Sequence, residues 1–275
     1  MLYRIAHAFK SVIASLYWLA TMGRWGVQGV FDTLYAGQVR SEKFREIYRG
    51  VFGADYAEEA DPTGYMTMTD LANIVKQLHV GSGQSFVDLA CGRGGGSLWV
   101  ARATGATLLG IDISPVAIQA ARERIAAFGV TGKAKFEARD ITATGCPDAS
   151  FDGAMSVDAL FLVPDKTGAI REAARILKPG ARFVFTTWEL DEPFRVKDYR
   201  PLLTEAGFEV ESIDETPDWE RRQRAILEQS IAAKDQLMQE MGPEAATMWV
   251  HYCETELPKL VLMRRILVVA RKRSA

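Results

Sequence analysis

Cysteine and histidine are scarce in this chain, three of each in 275 residues. Cys91, Cys146 and Cys253 are too few and too scattered for a disulfide framework, and no His/Cys/Asp cluster has metal-ligand spacing. Free thiols and no metal are therefore expected, in a reducing, cytoplasmic setting. Charge of one sign is also lacking. Lys and Arg number 33 against 35 Asp and Glu, a net charge of −2, and no basic stripe interleaved with aromatics is visible, which argues against nucleic acid. The basic closing segment RRILVVARKR has an apolar centre and reads as a last strand with charged ends. Long hydrophobic runs are missing too. The uncharged run from Ser11 to Gly23 is too short to span a bilayer, and no small-x-small cleavage site follows it, so neither integral membrane contact nor export is expected.

What is present begins with an N-terminal amphipathic arm, residues 1–28. Leu2, Ile5, Phe9, Val12, Leu16 and Leu19 step by threes and fours. Such a stripe can pack on its own domain, lie on a membrane surface, or dock on a neighbouring subunit. The exchanged arm of a homo-oligomer is the favoured reading, with Gly23, Gly26 and Gly29 as a pliable link. Residues 29–80 read as a helical cap with docking helices, the last carrying Leu71, Ile74, Val75 and Leu78 on one face.

From residue 84 short apolar strands alternate with helices. The predicted strands are 85–90, 107–112, 133–138, 152–157 and 181–187, and the predicted helices 95–103, 115–128 and 166–176. Pro179-Gly180 is read as a break before the fifth strand. This alternation implies an α/β fold with a parallel sheet covered on both faces. A helix near 198–206 and a strand near 208–213 complete the core over 81–216. Residues 217–260 read as a helical lid inserted before the final strand, 261–275, and placed over the carboxyl ends of the strands, where open α/β sheets bind ligands.

The densest signal is DLACGRGGGS at 88–97, a glycine turn between a strand and a helix. Turns of this kind let a ligand approach the backbone closely. A dinucleotide fingerprint calls for a third glycine where Ser97 stands. The acid before the turn, Asp88, suits an ammonium group better than a phosphate. Two further acids fall at the ends of successive strands, Asp112 in LLGIDIS and Asp140 in EARDIT. Asp112 can accept from ribose hydroxyls or cap the helix that begins near Pro115. Asp140 can accept from an exocyclic amine, with Ile113 and Ile141 sandwiching a purine.

In these motifs the chain resembles the class I S-adenosylmethionine-dependent methyltransferases, from about residue 70 to 272. DLACGRGGG matches their first motif in the D-x-x-C-G-x-G-G variant seen in small-molecule enzymes, the natural-product and sterol-like branch. GIDIS, ARDIT, FDGAMSVDALFLVPD and LKPGARFVFTTWE match the motifs of the next four strands. The resemblance implies a Rossmann-like, seven-stranded, mostly parallel sheet of order 3-2-1-4-5-7-6, with the last strand antiparallel and the helical insertion between strands 6 and 7. It implies S-adenosyl-L-methionine as cofactor and S-adenosyl-L-homocysteine as product. Asp88 with the loop at Ala90, Gly92 and Gly94 would hold the methionine part, Asp112 the ribose, and Asp140 with Ile141 the adenine. The fourth-strand exit from Ser156 to Asp158 would face the methyl group.

Methyl transfer needs alignment and exclusion of water, and a base only where the acceptor must lose a proton. His251 in the insertion, Asp158 and Glu189 are the candidate catalytic groups. Phe31, Tyr35, Phe44, Tyr48, Phe161, Trp188, Tyr199, Trp219, Trp249 and Tyr252 suggest an aromatic-lined cavity. The expected function is methylation of a hydrophobic small molecule, a secondary metabolite, at carbon, oxygen or nitrogen, with carbon methylation coupled to cyclisation as one form. The alternative is a methyltransferase-fold cyclase that binds the cofactor without transferring methyl.

Overall fold

The computed structural model describes residues 26–191 and 195–274. The amphipathic arm and His7 lie outside the described residues, apart from the arm's last turn. The chain divides into two compact modules, Phe52–Trp219 with Leu262–Ala275, which holds the sheet, and Met1–Val51 with Glu220–Val261, whose described residues are helical.

The sheet module contains β1 (Ser85–Leu89), β2 (Thr107–Asp112), β3 (Ala134–Ala138), β4 (Phe151–Val157), β5 (Leu177–Leu190), β6 (Phe208–Glu215) and β7 (Met263–Lys272). Their order is β3-β2-β1-β4-β5-β7-β6. β1 pairs in parallel with β2 and β4, β2 with β3 and β4 with β5, while β7 runs antiparallel between β5 and β6. The expected strand order therefore holds. Pro179-Gly180, however, does not end a strand. β5 continues through it, and the irregularity is absorbed as a register shift, Phe151 facing Leu177 but Gly153 facing Arg182, with Gly180 at φ +80°.

The helices of this module are α3 (Met68–Leu78), α4 (Gly95–Thr104), α5 (Pro115–Arg124), α6 (Lys166–Ile176) and α7 (Arg200–Glu205). Their starts are written in the sequence. Thr67 and Asp70 form a reciprocal capping box on α3, Ser114 accepts from the Ala117 N–H with Pro115 in the first turn of α5, and Asp165 accepts from the Gly168 N–H on α6. Residues 52–80, grouped by sequence with the helical cap, belong to the sheet module. The reason is the apolar face of α3, where Leu71, Ile74 and Leu78 are buried in one cluster with Phe86, Met155, Val184 and Val269. On the other face Phe183, Phe185, Tyr199, Leu203 and Phe208 pack with α6.

In the helical module residues 26–40 form one helix, α1, which runs through Gly29, where the sequence suggested a flexible link. α2 (Glu42–Phe52) follows, and α8 (Trp219–Ala232), α9 (Lys234–Met241) and α10 (Pro243–Glu256) make up the insertion. Two sequence-distant segments meet here. The Arg40 guanidinium donates to the Met241 carbonyl at 2.6 Å, the Ser41 hydroxyl to Glu240 at 2.8 Å, and the Phe44 ring meets Trp249 edge-on at 5.3 Å. Among the described residues no helix is long and apolar enough to cross a membrane.

Phe185 is fully buried, 4.7 Å from the Phe183 ring and 5.7 Å from Tyr199. Phe185→Ala is expected to cost about 3–5 kcal/mol, read as a lower urea midpoint at unchanged slope.

Candidate functional site

The glycine turn leaves β1 through a left-handed residue that is not glycine. Ala90 has φ +67° and its N–H donates to the Ile111 carbonyl at 2.8 Å; the Cys91 N–H donates to the same carbonyl at 2.9 Å. Such a backbone costs an alanine about 1–2 kcal/mol, so the hydrogen bonds to β2 hold it there. Gly92 and Gly94 follow at φ +52° and +72°. α4 starts at Gly95, and a methyl group on Gly95 would collide with the Ala60 carbonyl. The turn is clamped from outside. Arg93 pairs with Asp61 at 2.9 Å, while Arg124 donates to the Arg93 carbonyl at 3.1 Å and to the Glu59 carbonyl at 2.6 Å.

Asp88 lies beneath this turn, 4% exposed. Its Oδ1 is buried and has no hydrogen-bond partner. Burial pushes the carboxyl up to about 7; the Ser97 hydroxyl opposes this and the Asp112 carboxylate adds to it. Asp112 is buried as well, and its two oxygens are engaged. Oδ2 accepts from the Gly92 N–H at 2.8 Å and Oδ1 from the Ser114 N–H at 2.9 Å. It thus ties the glycine turn to the start of α5. The cap of α5 is Ser114 rather than Asp112. Asp140 is exposed, with Oδ1 accepting from the Thr142 N–H and hydroxyl, each at 2.8 Å. Ile141 is buried and Ile113 half-buried.

Ser156 is fully buried, and its hydroxyl donates to the Leu89 carbonyl at 2.7 Å, so it stitches β4 to the end of β1. The proposed catalytic groups fare differently. Both oxygens of Glu189 are committed, Oε2 to Arg264 at 2.5 Å and Oε1 to the Tyr199 N–H at 3.3 Å. His251 lies on α10 in the helical module, half-buried, and burial lowers its pKa. Asp158 follows β4 at φ +47°, its Oδ2 taking the Arg265 Nε–H at 2.9 Å and its Oδ1 buried without a partner. The aromatics fall into two sets. Phe44, Tyr48, Trp249 and Tyr252 pack in the helical module. Tyr65, Phe161 and Trp219 surround Trp188 in the sheet module at 5.4–6.4 Å, each edge-on.

Sequence reasoning missed Arg265, whose side chain is fully buried on β7. Strand alternation offered the signal. Arg265 shares a face with Leu267 and Val269, which pack in the core, while Arg264 points the other way and is half-exposed. An arginine on the apolar face of a strand demands buried carboxylates.

The raised Asp88 carboxyl sets a stability prediction. A folded-state pKa above the ordinary 3.8 means that the folded protein binds the proton more tightly, so this group's stabilisation is lost as pH rises through about 7. Asp88→Asn carries no charge at any pH. In thermal or urea unfolding without ligand it is expected to exceed the wild type by roughly 2–4 kcal/mol at pH 8 and to converge with it near pH 4.

Residues 87–185 match the family described as "Methyltransferase domain". The chain is 28% identical to methyltransferase GfsG of Streptomyces halstedii over 170 residues, 58% of this chain and 61% of that protein. It is 29% identical to 27-O-demethylrifamycin SV methyltransferase of Amycolatopsis mediterranei over 161 residues, 51% of this chain and 59% of that one. It thus spans about three fifths of the length of these curated relatives. Its fold is similar to that of the [4+2]-cyclase SpnF, with a TM-score of 0.67 and 24% identity over 74% of this chain and 80% of that one. The strand order, the acid-preceded glycine turn and these matches agree in making the chain similar to the class I S-adenosylmethionine-dependent methyltransferases.

Proposed function

We propose that this protein transfers a methyl group from S-adenosyl-L-methionine to a hydrophobic small molecule. One observation carries the reading. Asp88 presents a buried carboxylate oxygen with no donor, under a turn whose backbone takes positive φ at Gly92 and Gly94. A buried anionic oxygen is costly when it is left unpaired, and an α-ammonium group is the complement it lacks. Asp112, a buried carboxylate at the end of β2, is the group assigned to the ribose hydroxyls. Ile113, Asp140 and Ile141 supply the apolar contacts and the acceptor for adenine, and Ser156 acts by holding β4 against β1. When bound, the cofactor supplies an electrophilic methyl group on a sulfonium. The protein's share is to orient it, exclude water and hold the transferred charge in a preorganised field.

The relatives' names, a rifamycin methyltransferase among them, support a natural-product acceptor. The second reading, a cyclase that keeps the cofactor but transfers nothing, is favoured by the similarity to SpnF, itself a [4+2]-cyclase. We further propose a cytoplasmic setting, consistent with the free Cys91, Cys146 and Cys253, and a homo-oligomer joined through the amphipathic N-terminal segment.

Calorimetry with S-adenosylmethionine and NADH tests the cofactor claim. The former is expected to bind and NADH not. Asp88 must be ionised to hold an ammonium, so affinity is expected to fall about tenfold per pH unit below about 7, with proton release. Asp88→Asn is expected to weaken binding by about 10–100-fold and to abolish this pH dependence. Binding of NADH alone would contradict the proposal.

A further inference from the structure

Two carboxylates share one buried arginine in the sheet module, and they share it unequally. The Arg265 guanidinium has no exposed surface, and all five of its N–H groups are used. Nε donates to Asp158 Oδ2 at 2.9 Å. Nη1 donates to Asp70 Oδ1 and to the Thr216 hydroxyl, each at 3.0 Å. Nη2 donates to the Tyr65 carbonyl at 3.0 Å and to Asp70 Oδ2 at 3.2 Å. Its flat face lies 4.2 Å from the Tyr65 ring.

Asp70 is therefore served on both oxygens, and Oδ2 also takes the Thr67 N–H and hydroxyl at 3.0 Å each. Asp158 receives one guanidinium bond, and its Oδ1 has none. One positive charge faces two negative ones, so the surplus charge falls on Asp158. Burial raises this carboxyl to about 6; Arg265 lowers it, Asp70 raises it, and Arg265 and the Thr186 hydroxyl lower it through hydrogen bonds. The position is also strained, with φ +47°, and is fixed by the Asp158 N–H donating to the Thr186 carbonyl at 3.0 Å and to its hydroxyl at 3.1 Å. Strain and an orphaned oxygen on one residue are what a functional group retains and a purely structural one sheds. Asp158 also lies three residues beyond Met155, which pairs with Asp88, placing it about 10 Å further along the adjacent strand.

We propose that Asp158 Oδ1 receives the proton of the methyl acceptor, with Arg265 and Asp70 as positioning residues, and that the acceptor carries an acidic hydroxyl, a phenol or an enol. This rests on the methyltransferase reading above. A carboxylate is a weak base, and transfer to it is near balance only from an O–H that is itself acidic. The acceptor O–H bond breaks with its electron pair left on oxygen, the proton joins Asp158 Oδ1, and the resulting carboxylic acid returns it to water. The freed pair on oxygen is the nucleophile. Glu189 cannot take this role, because Arg264 and the Tyr199 N–H occupy its oxygens.

The test uses the full chain saturated with S-adenosylhomocysteine, as wild type and Asp158→Asn, with 4-nitrophenol as an optical probe. At pH 6 the wild-type complex is expected to bind the probe and raise its phenolate absorbance several-fold over the free probe. The variant, binding S-adenosylhomocysteine equally by calorimetry, is expected to leave the probe protonated. In parallel, carbon-13 spectra of aspartate carboxyls in the wild-type complex are expected to show one group titrating near pH 6 that is missing from the variant. Identical probe spectra in the two proteins, no probe binding at millimolar concentration, or no Asp158 titration between about pH 5 and 8 would overturn the inference. If the wild type fails to bind S-adenosylhomocysteine at all, the methyltransferase reading falls and takes this inference with it.

Discussion

Around the carboxyl ends of the central strands and the first turn of α3 the sheet module buries more negative charge than it neutralises. Asp70, Asp88, Asp112 and Asp158 are each under 10% exposed on the residue or side-chain scale, yet Arg265 serves only Asp70 and Asp158. Asp112 is held by backbone N–H groups, and Asp88 Oδ1 by nothing. Folding alone would favour neutral residues here, because desolvation works against every one of these charges. The surrounding structure is arranged to keep them. Ala90 is locked in a left-handed conformation by β2, the glycine turn is clamped by Arg93 and Arg124, and the Thr67 cap of α3 doubles as a ligand of Asp70.

That arrangement suits a cationic ligand. An ammonium at Asp88 would supply the missing donor, and a sulfonium would find a field already negative before it arrived, at no cost in reorganisation. The same surplus explains why Asp88 and Asp158 have carboxyls raised to about 7 and about 6, whereas Glu172, beside Arg175 on the flank of α6, is lowered to about 2. Burial without a full complement of donors separates the first two from the third.

The sheet was legible because its strands are short, apolar and punctuated by caps that act locally, such as Ser114, Asp165 and the Thr67–Asp70 box. The glycine turn was legible because positive φ at Gly92 and Gly94 leaves a compositional mark. Pro179-Gly180 misled because a bulge and a strand end use the same residues, and only the pairing of β4 with β5 tells them apart. Residues 52–80 were grouped with the wrong module because an amphipathic helix shows that it has a buried face, and not what that face meets. Arg265 escaped notice for a similar reason. Its five hydrogen bonds go to four residues between 65 and 216, and only the fold brings them together. Glu189 and Asp158 look alike in sequence, both following strands, and differ only in which arginines reach them.

The most direct measurement is a crystal structure of the full chain with S-adenosylhomocysteine. The account predicts the ligand's α-ammonium within hydrogen-bond distance of Asp88 Oδ1, the oxygen that otherwise has no partner, with the ribose hydroxyls on Asp112. A ligand seated elsewhere, or an Asp88 Oδ1 still facing only protein atoms in that complex, would contradict it.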